Sequence, residues 1–418
     1  MIRNIFSSMW HNKLQVLLIL ILSTIAFVLA LLTLTNSFAF NTQISMVEDM
    51  FSSPLDKTYR IDVSCTENFD TSGVAFAELK EFINQQGNTV CGAYYQTGAY
   101  FDELQGNQEY IALNQKAYAG TLYADNPSIA EVIFFDTEIL NLMSGRLSQE
   151  DFQPVNQNGE TYLPLYAGKD FKGVMSVGDV LTISRDNIRN GTKYIVKDFL
   201  PDDAKWFDDS DPITMPVTSL NHKFLAPFSK IDKTDSMTQQ STVGKIFIVS
   251  DNDIKDSVSK KALQLGIKLR ITSISDFIEQ WEEDNNQILK LNFFLAAVVL
   301  ICSAISMIST LCVTVLLKKK EYGIRIAFGT TKRQIILSLC FEILILNVIA
   351  GTIAFTYSYF KYANSLISSF QEIYIKTLCS TSLIGLIVLI IFLVAIVLLI
   401  PVVILARYNP AELVKEES

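Results

Sequence analysis

The sequence predicts a membrane α-helical protein. Four transmembrane helices carry a large α/β (α+β) domain, inserted between the first and second and joined to them by a helical stalk. Three observations support this: four apolar runs long enough to cross a bilayer, a polar middle over residues 48–287, and positive charge gathered on one side of the runs. The 418 residues are 50% hydrophobic and only 18% charged, whereas a soluble domain carries roughly 25% charged residues.

A spanning helix needs about 20 apolar residues. Leu14–Val47 contains no charge, Leu291–Leu317 is a run of 27 uncharged residues, and Thr377–Ala406 is one of 30. Between Arg333 and Lys361 the single charge is Glu342. The first run exceeds the 7–15 apolar residues of a cleaved signal peptide, so it is expected to remain as an anchor.

Orientation follows from Lys and Arg in short flanking segments. Arg3 and Lys13 precede the first span, and Arg407 follows the fourth. Lys318, Lys319, Lys320, Arg325, Lys332 and Arg333 crowd the segment between spans two and three. Both termini and residues 318–334 are therefore expected in the cytoplasm of a bacterial cell, with a multi-pass chain in its membrane. The inserted domain and the 361–376 loop then lie outside. The expected order is 1–47 (first span and start of the stalk), 48–272 (outer domain, two lobes allowed) and 273–317 (stalk helix and second span). Residues 318–334 form the connecting loop, 335–360 the third span, 361–376 an outer loop, 377–406 the fourth span and 407–418 the tail.

Charge divides the same way. Residues 41–287 hold 21 Lys+Arg against 37 Asp+Glu, a net of −16, and the remainder is +7. An acidic domain repels phosphates, so nucleic acid is excluded as a partner.

Within the middle, Tyr59–Ser64, Val180–Ser184, Tyr194–Val196 and Lys245–Ser250 read as strands. Val74–Asn84 and Ser257–Leu265 read as helices. Asn190-Gly191 suits a hairpin turn. Pro201–Asp211, with five aspartates, reads as a solvated loop whose spacing fits no EF-hand. Ser273–Lys290 reads as a helix with Ser275 as N-cap, running without Gly or Pro into the second span. Asn36–Met50 extends the first span in the same way, giving the stalk; a flexible linker would be Gly/Ser-rich.

Chemistry-bearing motifs are sparse. Two histidines, His11 and His222, cannot build a His-based metal site. Cys65 and Cys91 stand alone in the polar middle; a disulfide and two free thiols are both open. There is no GxxxxGK[ST] loop, no G-x-S-x-G elbow and no HExxH. The chain is expected to be non-catalytic, with no cofactor of its own and no metal. Glu342 is an intramembrane acid and so a candidate functional group, weighed against a structural hydrogen-bonding role within the bundle.

The segment Lys318–Ile335 carries the most information. Ile324, Ala327 and Phe328 fall at helical spacing, so a short amphipathic helix is expected, ended by Gly329 and followed by a new helix start at Thr330 or Thr331. It resembles the E-x-G-I-R-x-A-x-G-x-x-x-x-Q-I signature of the MacB/FtsX permeases. Glu321, Gly323, Ile324, Arg325, Ala327, Gly329, Gln334 and Ile335 hold the fixed positions, and Thr331 and Arg333 match looser ones. Tyr322 and Ile326 depart from the commonest forms. Glu342 and Gly351 in the third span, Pro401 in the fourth, and Arg407, Pro410 and Glu412 in the tail resemble the family too. So do Asn12-Lys13-Leu14, Ser144-Gly145-Arg146-Leu147 and Val177-Gly178-Asp179.

That resemblance implies a permease subunit of an ATP-binding cassette transporter, without a fused ATPase. A cytoplasmic ATPase partner would bind ATP and Mg and dock on Glu321–Arg333. The permease would pair as a dimer, sit among membrane lipid and meet an extracytoplasmic adaptor. Its work would be export or mechanotransmission. Two other classes stay open: a non-transporting regulator of an extracellular hydrolase, and a peptide-sensing antimicrobial-resistance module.

Overall fold

The computed structural model describes residues 13–66, 72–119, 123, 125–157, 159–186, 188–208, 215–364 and 368–407. The chain divides into two compact units, residues 43–282 and the helical remainder. Arg3, His11 and Asn12 at the start, and Pro410 and Glu412 in the tail, lie outside the described residues.

The inserted unit is built on β2 (Thr89–Phe101), a strand long enough to serve two lobes. Its first half closes an antiparallel sheet in the order β12 (Ile267–Ser273), β1 (Thr58–Thr66), β11 (Ile246–Ser250), β2. Helices α2 (Ser72–Asn84) and α5 (Lys255–Gln264) cover it, burying Phe76, Leu79, Val258 and Ala262 against Ile61, Ile246 and Ile248. Strands and helices expected from alternation and apolar spacing thus form here, within a few residues of their predicted ends.

The second half of β2 enters a closed sheet. It pairs with β3 (Ala130–Phe135), then follow β10 (Phe224–Pro227), β5 (Glu160–Ala167), β7 (Lys193–Phe199) and β6 (Val180–Ser184). Strand β6 returns to β2 through Tyr100↔Ser184 and Phe101↔Ile183. Closure removes the sheet edges that invite mispairing. Alternate residues fill the interior: Ala99 and Phe101, Val132 and Phe134, Leu181 and Ile183, Tyr194 and Val196, Phe224 and Ala226. This is the period of two expected when one face is buried. A three-residue β4 (Val155–Gln157) pairs with β5, and α3 (Gln108–Ala117) and α4 (Ser236–Ser241) complete the unit.

Four expectations need correction or refinement. Pro201–Asp211 is not wholly a loop: β8 (Lys205–Phe207) pairs with β9 (Val217–Ser219). Trp206 and Phe207 are buried among Tyr94, Phe135 and Phe247, and these aromatics anchor a strand that the flanking aspartates obscured. Asp209 and Asp211 fall outside the described residues. Strands β6 and β7 do pair antiparallel, and Gly191 takes φ +81°, but the connection spans 185–192 and is no two-residue turn. The helix after β12 is capped by Ser273, whose Oγ accepts from the Asp276 amide, and not by Ser275. Finally, the Cys65–Cys91 disulfide does not form: Cys91 is a free, buried thiol. It pairs with Ile248 of β11, which pairs with Tyr59 of β1. Cys65 lies six residues further along β1, beyond the 7 Å Cα separation that a disulfide tolerates.

His222 supplies a pH prediction. Asn114 Nδ2 donates to the carbonyls of Pro127 and Ile129, so its Oδ1 accepts from His222 Nε2 at 2.8 Å. The neutral ring then turns a bare Nδ1 towards Asp170, 3.6 Å away. Burial lowers the His222 pKa below its ordinary value; Asp170 opposes this and Lys223 reinforces it. The unfolded chain therefore takes up the proton first. The stability contribution is full above pH 6.5 and is lost as pH falls below that value through the lower folded pKa. The protection factors of the barrel amides in the full chain, corrected for the intrinsic pH dependence of exchange, should fall as pH drops below 6.5. His222→Gln should flatten that change.

The helical unit contains four helices long and apolar enough to cross a membrane. The first is α1 (Lys13–Asp49) and the second α6 (Ile274–Leu317), an unbroken 44-residue helix as its lack of Gly and Pro predicts. After α7 (Lys319–Ala327), the third is α8 (Lys332–Ala363). The fourth runs from α9 (Ser368–Thr377) through a π turn at Leu378–Ser382 into α10 (Leu383–Arg407). The 361–376 segment expected as a loop is thus largely helix, held by Ile373, which is buried, and Tyr374, which stacks on Tyr362.

Inside the bundle, polar side chains meet across helices, as lipid-embedded helices require. Ser23 lies 3.1 Å from Ser303, Thr35 donates to Ser382 at 2.9 Å, and Tyr362 donates to Asn36 at 2.8 Å. Pro401 is buried inside α10. Gly351 lets α8 and α10 approach: a Cβ there would sit 2.9 Å from Ile390 Cδ1. Gly351→Leu should overpack this contact at a cost of about 1–3 kcal/mol, read as a lower melting temperature of the purified chain.

Candidate coupling site between the second and third spans

Helix α7 is nine residues long and set between two long helices. Its start continues from α6, with the Tyr322 amide bonding the Lys318 carbonyl. Its end is a Schellman turn: Gly329 N donates to Ile326 O and Thr330 N to Arg325 O, both at 3.0 Å. Gly329 takes φ +94°, a conformation only glycine adopts without strain. Thr331 then caps α8. Its Oγ1 accepts from the Gln334 amide, and the Gln334 side chain accepts from the Thr331 amide. The chain therefore breaks twice within five residues and restarts in a fixed geometry.

Helix α7 presents two unlike faces. Tyr322 and Gly323 are buried, and Ile326 packs partly against the bundle core, near Ile335 and Leu339. Ile324, Ala327 and Phe328, the apolar positions read from helical spacing, face outward, with Phe328 88% exposed. Both stripes have helical spacing, so periodicity alone could not choose between them. The cue that sequence reasoning passed over is Gly323: a glycine beside Tyr322 permits close approach on that face.

Glu321 and Arg325 pair at 2.5 Å across one helical turn, both half-exposed. Such a pair is worth about 0.3–0.5 kcal/mol. Burial pushes the Tyr322 phenol up to about 12, and the negative charges of Glu342 and Glu321 add to it. Glu342 is half-buried, two turns beyond Ile335 and one beyond Leu339 on the same face of α8. The structure thus brings Glu342 into the electrostatic surroundings of Tyr322, a grouping not anticipated. Thr331 and Arg333 are exposed at the start of α8. Arg407 closes α10, and its side chain lies outside the described residues, as do Pro410 and Glu412.

The whole helical array after the inserted unit, from within α6 through α10, corresponds to a known family. Residues 293–410 match the FtsX-like permease C-terminal family. This chain carries an FtsX-like permease C-terminal domain. Comparison with curated proteins finds no match. That match is consistent with an ABC-transporter permease, a class that in general acts with an ATPase partner. The matched segment contains α7, the Gly329 break, Glu342 and Pro401, whereas Asn12–Leu14, Ser144–Leu147, Val177–Asp179 and Glu412 lie outside it.

Proposed function

We propose that the chain is a MacB/FtsX-type permease subunit whose α7 docks on a separate cytoplasmic ATPase. The subunit relays ATP-driven movement through α6 to the inserted domain on the outer side, for export or mechanotransmission. The observation that carries this is the outward apolar face Ile324–Ala327–Phe328 on a helix whose opposite face is held by Tyr322 and Gly323. An 88% exposed phenylalanine at the end of a helix held by its opposite face suits a groove on a protein partner. The ATP and Mg belong to the partner, and Glu321, Arg325, Thr331 and Arg333 form the rim around the apolar contact.

The unbroken α6 supports the relay, since a continuous helix transmits displacement where a flexible linker would absorb it. The test is co-reconstitution with the candidate ATPase. The permease should raise membrane-bound ATP hydrolysis, and Phe328→Asp should abolish the rise. An unchanged rise with Phe328→Asp would sink the docking role.

A further inference from the structure

The inserted unit contains a cavity of about 580 Å³, within the range of small-molecule sites. Its apolar floor includes Met50, Met143, Tyr166 and Trp206, all buried. Around it stand three cations, Arg146, Lys172 and Lys205, and three acids, Asp49, Asp198 and Asp203. None of these six forms an ion pair with a described residue. Elsewhere in the unit opposite charges meet readily: Lys57 with Asp251, Lys80 with Asp136, Lys193 with Glu160, and Lys261 with Glu78. Lys172 instead lies over the Phe199 ring, 5.9 Å from its centroid.

Three unpaired charges of each sign around one apolar hollow fit a ligand that brings both signs with it. A purely anionic or cationic ligand would meet as much repulsion as attraction. A neutral apolar one would leave the ring of charges unanswered. We infer that this cavity binds a zwitterionic amphiphile: its apolar body lies on the methionine floor, its anionic group meets Arg146, Lys172 or Lys205, and its ammonium meets Asp49, Asp198 or Asp203. Methionine suits such a floor because its flexible thioether adapts to differing shapes. Asp49 is the last residue of α1 and Met50 follows it, so the ligand touches the end of the helix that contains the first span.

The chemistry can come from a soluble zwitterion or from a lipid headgroup, and the test separates them. The full chain carries three tryptophans, Trp10, Trp206 and Trp281. Trp10→Phe and Trp281→Phe leave Trp206 as the reporter. In nanodiscs of phosphatidylglycerol alone, 8-aminooctanoic acid should shift Trp206 emission saturably. Octanoate and octylamine, with one charge each, should bind at least tenfold more weakly. Arg146→Ala and Asp203→Ala should each weaken the zwitterion about tenfold. Both residues are exposed, so the fold should survive. If a lipid is the natural source, discs containing phosphatidylethanolamine should show the shifted emission beforehand and block the soluble probe. Equal binding of all three probes would overturn the inference. So would a shift that survives both substitutions, or no shift with either probe or lipid.

Discussion

Asp232→Ala is expected to destabilise the inserted domain by about 3–5 kcal/mol, the cost of stranding a buried charge. Asp232 is fully buried and Arg189 is 2% exposed. The Arg189 Nε donates to Asp232 Oδ1 at 2.5 Å, and its guanidinium also reaches Asp186 and Thr238. Asp232 Oδ2 accepts from the Ser229 amide at 2.7 Å. The guanidinium lies over Phe134, 4.8 Å from the ring centroid, at the barrel wall. Asp232 and Asp186 hold its proton more tightly still, against the effect of burial. Removing Asp232 therefore leaves a cation that cannot escape by losing its proton. The measurement is hydrogen exchange of β3 and β7 amides in the full chain, which should speed by roughly two to four orders of magnitude. The double variant Arg189→Met/Asp232→Leu should recover most of the loss, because replacing both partners leaves no orphaned charge. A change of under about 0.5 kcal/mol in the single variant, the range of surface substitutions, would show that the clasp is not structural.

Neither Arg189 nor Asp232 was legible as a pair in the sequence, where 43 residues separate them. The barrel brings them together, and its closure between β2 and β6 is a long-range pairing that local alternation cannot reveal. What the sequence did show were features set by short-range physics. The four spans follow from apolar length, β1, β6, β7 and β11 from alternation, and the Gly329 stop and Thr331 start from capping chemistry. The failures share one cause. Ser275 was a reasonable cap, but Ser273 ends a strand whose pairing fixes where the helix begins. Trp206 and Phe207 looked isolated among aspartates until other aromatics met them in three dimensions. Cys65 and Cys91 were plausible partners by count, yet β11 lies between their strands and the register sets them far apart along it. The coupling segment shows the same limit. Its helix, stop and restart could be read, but which stripe faces the bundle depended on the fit of Tyr322 against α8.

That fit sets the strongest functional prediction. Phe328→Asp should weaken association with the partner ATPase by roughly tenfold to a hundredfold. Burying a phenylalanine side chain is worth about 1.5–3 kcal/mol, and each 1.4 kcal/mol is about a factor of ten in affinity. The side chain is 88% exposed in the isolated chain, so its replacement removes almost no internal packing and the fold should persist. Phe328→Ser, which adds no charge, should give the lower end of the range. Leu337 is half-exposed on α8 within the apolar third span, and Leu337→Ala should leave association unchanged. Arg325→Glu should cost less than Phe328→Asp, since its pair with Glu321 is open to solvent and screened. Tyr322→Ala provides the decisive contrast. The phenol is buried in the bundle core rather than offered to a partner, so its loss should loosen α7 and lower stimulated ATP hydrolysis more than binding. If Phe328→Asp and Tyr322→Ala instead reduce binding equally, α7 acts as one packing unit and its outward face is not the docking surface.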